Sequence, residues 1–347
     1  MNEGTGRYNV AIVGATGAVG HELIDILEER KFPVGELRLF ASERTVGSEV
    51  SFEGKSLIVQ GLSSEGFAGV DFAFFCANEE VSKKYAPLAV AAGAVVIDDG
   101  NAFRMDPNVP LVVPEVNRSA LFTHRGIVSI PNCSTTPLVM LLKPLHDAAR
   151  VKRVVVTTFQ SVSGTGRRAM DELMEQVRAI LSFREIEPKI YPHQIAFNCL
   201  PHIGSFNAQG ESSEEAKMRN ETRKILQEPD FPLTATTVRV PVFRTHSESV
   251  NVELEKKVSP DGARALFAAV PGVIVCDEPA RDLYPTPIDA AGRDEVFVGR
   301  IREDTTVPSG LNFWLVSDNL RKGAALNSIQ IAEQLVLESE GGSPRAQ

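Results

Sequence analysis

Tyr8-Asn9-Val10-Ala11-Ile12-Val13-Gly14-Ala15-Thr16-Gly17-Ala18-Val19-Gly20 runs from an apolar, β-branched strand directly into a glycine-rich turn. Apolar residues at helical spacing follow from His21 to Arg30. In that order, glycines tighten the turn and let backbone N–H groups approach a pyrophosphate, while the helix N-terminus faces the anion. The spacing is GxxGxxG and not GxGxxG. A glycine-rich turn by itself is weak evidence; the strand before it and the helix after it make nucleotide binding the preferred reading.

The sequence around this segment continues the alternation. Leu37 to Ser42, Asp71 to Ala77, Ala94 to Asp98 and Gly126 to Ile130 are short runs dense in Val, Ile and Phe and read as strands, with an amphipathic helix over Glu79 to Ala92. Such alternation predicts an α/β fold, a Rossmann-like doubly wound parallel sheet. After a helix predicted over Leu138 to Ala149 the pattern changes. Val151 to Val162, Thr234 to Val242, Ser249 to Lys257, Val273 to Asp277, Glu295 to Arg302 and Asn312 to Ser317 are longer and often alternate in polarity. Few helices separate them (Arg167 to Ser182, Glu214 to Gln227, Ala263 to Ala269), which predicts an α+β domain with a mixed sheet. A long amphipathic helix from Gly323 to Leu337 is expected to return to the first domain. Residues 1–131 with 322–347 are therefore assigned to the nucleotide domain and 132–321 to the second. Ala280 to Pro287 reads as an ordered loop, and Met1 to Gly6 and Ser339 to Gln347 as frayed tails.

Composition limits the choice of partners. The 347 residues carry a net charge of -9, and Lys and Arg form no block beyond short pairs, so nucleic acid would be repelled overall. Apolar runs reach only about ten residues, too short to span a bilayer, and Met1 to Tyr8 lacks an apolar signal core. Cys76, Cys133, Cys199 and Cys276 are widely spaced and read as reduced thiols of a cytoplasmic protein, with Cys76, Cys199 and Cys276 as packing residues. The histidines show no metal-ligand spacing, so no metal is expected.

The strand after the first helix indicates which nucleotide fits. A site for NAD usually ends that strand in Asp or Glu, which accepts hydrogen bonds from the ribose hydroxyls. Here it ends Phe40-Ala41-Ser42-Glu43-Arg44-Thr45-Val46-Gly47. Ser42, Arg44 and Thr45 suit a 2′-phosphate, which favours NADP; Glu43 argues the other way unless it points to solvent.

Chemistry concentrates in four further segments. In Asn132-Cys133-Ser134-Thr135-Thr136-Pro137 a thiol stands where a strand gives way to a helix, and the positive end of the helix dipole favours thiolate. Phe159-Gln160-Ser161-Val162-Ser163-Gly164-Thr165-Gly166 ends a strand in a glycine-rich turn. Glu214-Glu215-Ala216-Lys217 opens a helix. Val238-Arg239-Val240-Pro241-Val242-Phe243-Arg244-Thr245-His246-Ser247 carries an arginine and a histidine on a strand and its following turn. Read singly, each has an ordinary structural alternative: a packed thiol, a surface histidine, an exposed sheet-face arginine, a helix-surface Glu/Lys pair.

Together with the Gly14 turn, the Ala41–Gly47 run and a final Asp318-Asn319-xxx-Gly323-Ala324-Ala325, these segments resemble the aspartate-β-semialdehyde dehydrogenase family over nearly the whole chain. The resemblance implies NADPH-dependent reduction of L-aspartyl-4-phosphate to L-aspartate-4-semialdehyde with release of inorganic phosphate, in lysine, threonine and methionine biosynthesis. It implies Cys133 as nucleophile, His246 as acid/base and Gln160 as the residue that holds the acyl intermediate. Arg239 would grip the α-carboxylate and Glu214 the region of the amino group, with Glu215 competing for that role. Arg104 and Lys217 would hold the phosphate, with Asn132 nearby and Arg244 a second candidate for an anion. Gly14, Thr16, Gly17, Ala18, Val19, Ser42, Arg44, Thr45, Ser163, Gly164 and Asn319 would contact the cofactor. The site is expected in an interdomain cleft, and the second domain is expected to make a homodimer or a dimer of dimers.

The residue types suit that chemistry. An acyl phosphate is already activated, so a soft nucleophile suffices, and a thioester accepts hydride more readily than a carboxylate does. Two rivals remain open. N-acetyl-γ-glutamyl-phosphate reductases carry their cysteine in a Gly-Cys-Tyr-Pro-Thr-like run, from which Asn132-Cys133-Ser134-Thr135 departs. A catalytically silent NADP-binding protein would not need Cys133, Gln160, Arg239 and His246 together.

Overall fold

In the computed structural model, which describes residues 6–339 and 341, the apolar run ahead of the glycine turn is an interior strand, β1 (Tyr8–Val13). Chain order continues with α1 (Ala18–Glu29), β2 (Val34–Ala41), β3 (Glu49–Phe52), β4 (Lys55–Ile58), β5 (Gln60–Gly61), β6 (Phe72–Phe75), α2 (Glu79–Ala91), β7 (Val95–Asp98), α3 (Pro114–Leu121) and β8 (Ile127–Ser129). Six of these strands form one parallel sheet in the order β5-β2-β1-β6-β7-β8. The chain winds outward from β1 through β2 to β5, then restarts on the other side at β6, so the winding reverses beside the carboxyl ends of β1 and β6. That is the doubly wound α/β arrangement, whose ligands bind at the reversal.

Both faces of this sheet are apolar because successive residues of β1 and β6 point to opposite sides. Val10, Ile12, Phe72 and Phe74 pack with Leu23, Ile26 and Leu27 of α1 and with the C-terminal helix Leu326–Ser339. Ala11, Val13, Ala73 and Phe75 pack with Ala86 and Ala89 of α2. Asn78 caps α2, its Oδ1 accepting from the Val81 N–H at 3.0 Å.

The chain divides into two units: the described residues up to Pro131 together with those from Ala324 onward, and Asn132–Gly323. The second unit holds α4 (Thr135–Ala149), β9 (Val151–Gln160), α5 (Arg167–Leu181), α6 (Ser213–Leu226), β10 (Leu233–Arg239), β11 (His246–Leu254), α7 (Pro260–Ala268), β12 (Val273–Val275), α8 (Pro287–Ala290), β13 (Val296–Asp304) and β14 (Gly310–Ser317). Its sheet is mixed, in the order β10-β9-β11-β14-β13-β12, with parallel pairs at both edges and antiparallel pairs between. Val154, Val156, Thr158 and Gln160 of β9 alternate inward with His246, Glu248, Val250 and Val252 of β11. Helix α4 is buried from Thr135 through Leu142, as a helix apolar all round must be.

The structure differs from the sequence reading in a few places. The segment after β2 folds into the hairpin β3–β4, turned at Glu53 and Gly54, both with positive φ, a two-residue type I′ turn. Helix α3 and the short α8, which closes the proline-rich run, carry no clear signal in the sequence. Cys199 is exposed rather than packed, because the run around it is a loop in which Phe197 also faces solvent. The segments expected to fray, Met1 to Gly6 and Ser339 to Gln347, lie outside the described residues except for Gly6, Ser339 and Gly341.

Gly20 sits in α1, where Ala ordinarily stabilises a helix by about 1 kcal/mol over Gly. Here an added Cβ would lie 2.3 Å from the Gly14 carbonyl oxygen and 2.7 Å from Ala15 Cα, both backbone atoms that cannot swing aside. Gly20→Ala is therefore expected to destabilise, by about 1–3 kcal/mol, as overpacking does; a denaturant midpoint equal to or above that of the parent chain would contradict this.

Glu248, between Thr158 and Leu315 in the ladder, is fully buried and neither carboxyl oxygen has a hydrogen-bond partner. Burial pushes its carboxyl well above the usual carboxylate range. A folded pKa above the unfolded one gives stability that is complete below the unfolded value of about 4.3 and is lost as pH rises toward the folded one. The neutral isostere Glu248→Gln should raise the melting temperature more at pH 8 than at pH 5; an equal shift at both would show that ionisation is not the cause.

Candidate active site

The second unit gathers one set of predicted residues around a buried carboxylate. Glu214, on the first turn of α6, accepts at Oε1 from Asn132 Nδ2 at 2.8 Å and Gln160 Nε2 at 3.3 Å, and at Oε2 from Lys217 Nζ at 3.2 Å. Burial alone would raise this carboxyl, but the Lys217 charge, the Asn132 and Lys217 hydrogen bonds and the charge of Arg239 outweigh it and hold the group below its ordinary value. Glu214 is thus an anion whose lone pairs orient three side chains. Glu215 points elsewhere: it closes a capping box with Ser212 and accepts from the Thr237 N–H at 3.0 Å.

Asn132 uses nearly all of its polar atoms. Its N–H donates to Glu221 Oε2 at 2.7 Å, and its Oδ1 accepts from the Ser134 N–H at 2.9 Å. Cys133 lies between the two residues so joined, one position ahead of the residue that caps α4. Gly323 packs against it: an added Cβ would meet Cys133 Cβ at 2.9 Å and Cα at 3.1 Å. The cysteine backbone is therefore held from both sides, and none of the four cysteines is in a disulfide.

Arg239 ends β10, opposite Gln160 in the ladder. It is buried, its Nη1 donates to the Ser161 carbonyl at 2.6 Å, and its Nε is left without a partner. His246 opens β11 and is also buried. Its Nδ1 accepts the Ser161 N–H at 3.0 Å, while Nε2 has no partner. Burial first, and the Arg239 charge second, hold the imidazole well below its usual pKa, against a smaller opposing hydrogen bond at Thr245. Gly164 lies against both groups: a Cβ there would come within 3.0 Å of Arg239 Nη1 and 3.3 Å of His246 Nε2. A guanidinium with an unused N–H and an imidazole with an unused nitrogen thus border one space, which suits an anionic substrate with a reactive carbonyl.

In the first unit the glycine turn is built as a phosphate cradle. Gly14 has φ +95°, and α1 begins after Gly17 with no side chain capping its N-terminal amides. Ser42, Glu43 and Arg44 are exposed on the turn after β2, and the Thr45 and Thr16 hydroxyls are 3.0 Å apart, so that turn meets the cradle. These residues fit a dinucleotide, with Arg44 and Ser42 open to a 2′-phosphate. Cys76 lies beside the cradle, its thiol donating to the Val13 carbonyl at 3.2 Å, and burial pushes it up strongly. Arg104, also in this unit, is buried and pairs with Asp99, its Nη2 donating to the Asp99 carbonyl at 2.7 Å.

Asn319 and Ser163 take part in a network that the sequence does not announce. Asn319 Oδ1 accepts from Ser163 Oγ at 3.0 Å, Ser161 Oγ at 3.2 Å and the Thr245 N–H at 2.9 Å. Ser161 stands inside the Gln160 motif, yet no periodicity or spacing marks it as functional. Arg244 is engaged by Asp318 at 2.5 Å. Among the described residues no group of three or more His, Cys, Asp or Glu is placed to hold a metal ion, and no helix is long and apolar enough to cross a membrane.

Comparison with known proteins agrees with this layout. Residues 9–124 match the family described as semialdehyde dehydrogenase, NAD binding domain, and residues 142–322 match semialdehyde dehydrogenase, dimerisation domain. The aspartate-semialdehyde dehydrogenase of Aquifex aeolicus is 52% identical over 336 residues, 95% of this chain and 98% of that protein. The crystal structure of aspartate semialdehyde dehydrogenase II from Vibrio cholerae complexed with ASA superposes with a TM-score of 0.93 at 44% identity, covering 95% of this chain and 98% of that one. The Candida albicans enzyme with NADP gives 0.73 at 26% identity, covering 96% and 99%. Through both units and over nearly its full length, the chain belongs to the aspartate-semialdehyde dehydrogenase family, oxidoreductases of amino-acid biosynthesis with an NAD(P)-binding domain.

Proposed function

We propose that this protein reduces L-aspartyl-4-phosphate to L-aspartate-4-semialdehyde with NADPH, releasing inorganic phosphate through a thioester on Cys133, in the cytoplasmic route to lysine, threonine and methionine. The observation that carries the reading is the buried Glu214 cluster, which orients Gln160, Lys217 and Asn132, the residue preceding Cys133, in the unit that also presents Arg239 and His246.

The roles follow from what each side chain can offer. The Cys133 sulfur attacks the acyl carbon; the C–S bond forms as the C–O bond to phosphate breaks, and the electron pair leaves on phosphate. Arg239, planar and forked, takes the α-carboxylate, and Glu214 the ammonium, so the substrate enters with its two charges matched. Lys217 and Arg104 take the phosphate, with Asn132 close to the acyl group and Gln160 holding the acyl-enzyme. His246 presents Nε2 to the reacting carbonyl. When bound, the nicotinamide supplies a hydride to the thioester carbon. The Gly14–Val19 cradle would hold the cofactor, Ser42, Arg44 and Thr45 would answer a 2′-phosphate, and Ser163, Gly164 and Asn319 would contribute further contacts. The match of residues 142–322 to a dimerisation domain supports a homodimer, or a dimer of dimers.

Removing the sulfur should abolish turnover. Cys133→Ala is expected to lower kcat by several orders of magnitude with the fold intact by circular dichroism; NADPH oxidation with aspartyl phosphate at the parent rate would refute the nucleophile. Arg44→Ala should raise KM for NADP roughly ten- to hundredfold, the worth of a charged hydrogen bond of about 1.5–3 kcal/mol. The preference over NAD should shrink accordingly, and a parent chain that used both equally would remove the argument for NADP.

A further inference from the structure

Asn132 is the residue through which the chain enters the second unit, and Gly323 is the last before it leaves. Cys133 thus lies one position past a crossing, with Gly323 packed against its Cα and Cβ. Pro131, on the other side of that crossing, has no N–H with which to help hold the segment. The Asn132 N–H has a partner from outside the segment: it donates to Glu221 Oε2 at 2.7 Å, the short distance of a bond to a carboxylate.

Glu221 belongs to the same helix as Glu214. Seven residues apart, the two share one face of α6, two turns and about 10 Å along its axis. Both are buried, and both reach for the same residue. Glu214 takes the Asn132 side chain at Nδ2, 2.8 Å away, and Glu221 takes its main chain. The other polar atoms of Asn132 serve the residues that follow. Its Oδ1 accepts from the Ser134 N–H at 2.9 Å, and its carbonyl accepts from the Thr136 N–H at 3.0 Å and hydroxyl at 3.2 Å. The start of α4 depends on those bonds, because Ser134, at the N-cap, makes no capping hydrogen bond with its side chain. Two carboxyl groups of α6 therefore stand behind Asn132, the first turn of α4 stands ahead of it, and the cysteine lies between. The two bonds act on different parts: Glu214 sets where the side chain lies, and Glu221 sets the plane of the peptide between Pro131 and Asn132.

We propose that Glu221 is a positioning residue for the nucleophile: by accepting the Asn132 N–H it fixes the peptide that leads into Cys133, and so aims the sulfur at the acyl carbon in the step where the C–S bond forms and the C–O bond to phosphate breaks. This rests on the function proposed above and gives a part in it to a side chain that acts only through Asn132. Aim matters, because misplacing a reacting atom by about 1 Å costs roughly a hundredfold in rate. The role asks residue 221 for reach and an acceptor oxygen more than for a charge. Glutamine offers both, aspartate keeps the charge but is one methylene shorter, and alanine offers neither.

The test is steady-state kinetics of Glu221→Gln, Glu221→Asp and Glu221→Ala on the full-length protein with aspartyl phosphate and NADPH, each below its melting onset. In Glu221→Ala kcat should fall about 30- to 100-fold, while KM for both substrates stays within about threefold of the parent. Glu221→Gln should recover about tenfold or more of that loss, and Glu221→Asp less than Glu221→Gln. The reverse order would assign the effect to charge and overturn the proposal, as would a Glu221→Gln no faster than Glu221→Ala. A folded Glu221→Ala with parental kcat would show that residue 221 only supports the fold, and a loss carried by KM would assign it to substrate binding; either result overturns the proposal. If Glu221→Ala does not fold, the order of the Gln and Asp variants decides. A second measurement, amide hydrogen exchange at Asn132, needs no turnover. That amide should be protected in the parent and in Glu221→Gln, and should exchange about tenfold faster or more in Glu221→Asp. Equal protection in the two variants overturns the proposal. An active parent with an unprotected Asn132 amide defeats this inference and keeps the function, whereas an inactive parent with a protected one defeats the function and keeps the hold on Asn132.

Discussion

A carboxylate taken out of water must have its charge answered by donors, and in this protein that requirement organises the second unit. Glu214 is buried on the first turn of α6, and its two oxygens collect Asn132, Gln160 and Lys217 from three separate elements. Each of those side chains is long enough to wander, and each is held because leaving Glu214 unpaired in a low-dielectric interior would cost more than the entropy of ordering them. Asn132 passes the constraint on through Ser134 to the start of α4, and Gln160 carries it to the end of β9. The position of Cys133 is thus a consequence of where one negative charge is buried.

A second layer of constraint is geometric. Asp318 and Asn319 follow β14, and their side chains fasten Arg244 and Thr245 by a carboxylate and a carboxamide respectively. That fastening sustains a left-handed conformation at a β-branched residue, which a free turn would abandon. The strand register contributes too, since His246 pairs with Ser317, the last residue of β14, so the clamp closes over the end of the ladder and cannot slide along it.

Much of the fold was legible because it rests on local pattern. β1, the Gly14 turn and α1 are contiguous, and a continuous apolar run gives way to helical spacing within a few residues. The hairpin β3–β4 escaped because its strands are short and half exposed, although Glu53-Gly54 between them is a turn signal. Ser212-x-x-Glu215 is likewise a capping-box signature, and its spacing alone assigns Glu215 to the helix end and leaves Glu214 for the site. Burial of Arg239 and His246 was not legible: a lone arginine among valines and a histidine at a strand end look like surface residues until sheet pairing brings Gln160 and Ser317 alongside. The role of Ser161 is harder still, since what matters there is its backbone N–H, which every residue but proline possesses.

Glu214 and Glu248 show why residue type and burial do not together define a site. Both are glutamates of the second unit with almost no exposed surface, and desolvation raises both. Lys217, Asn132 and Arg239 reverse that effect at Glu214 and keep it anionic, whereas nothing opposes it at Glu248, two residues beyond His246 on the same face of β11. A carboxylate favours protonation of a nearby imidazole, and burial, by pushing the Glu248 carboxyl up, weakens that effect. At the ring itself, burial first and the Arg239 charge second both disfavour the imidazolium.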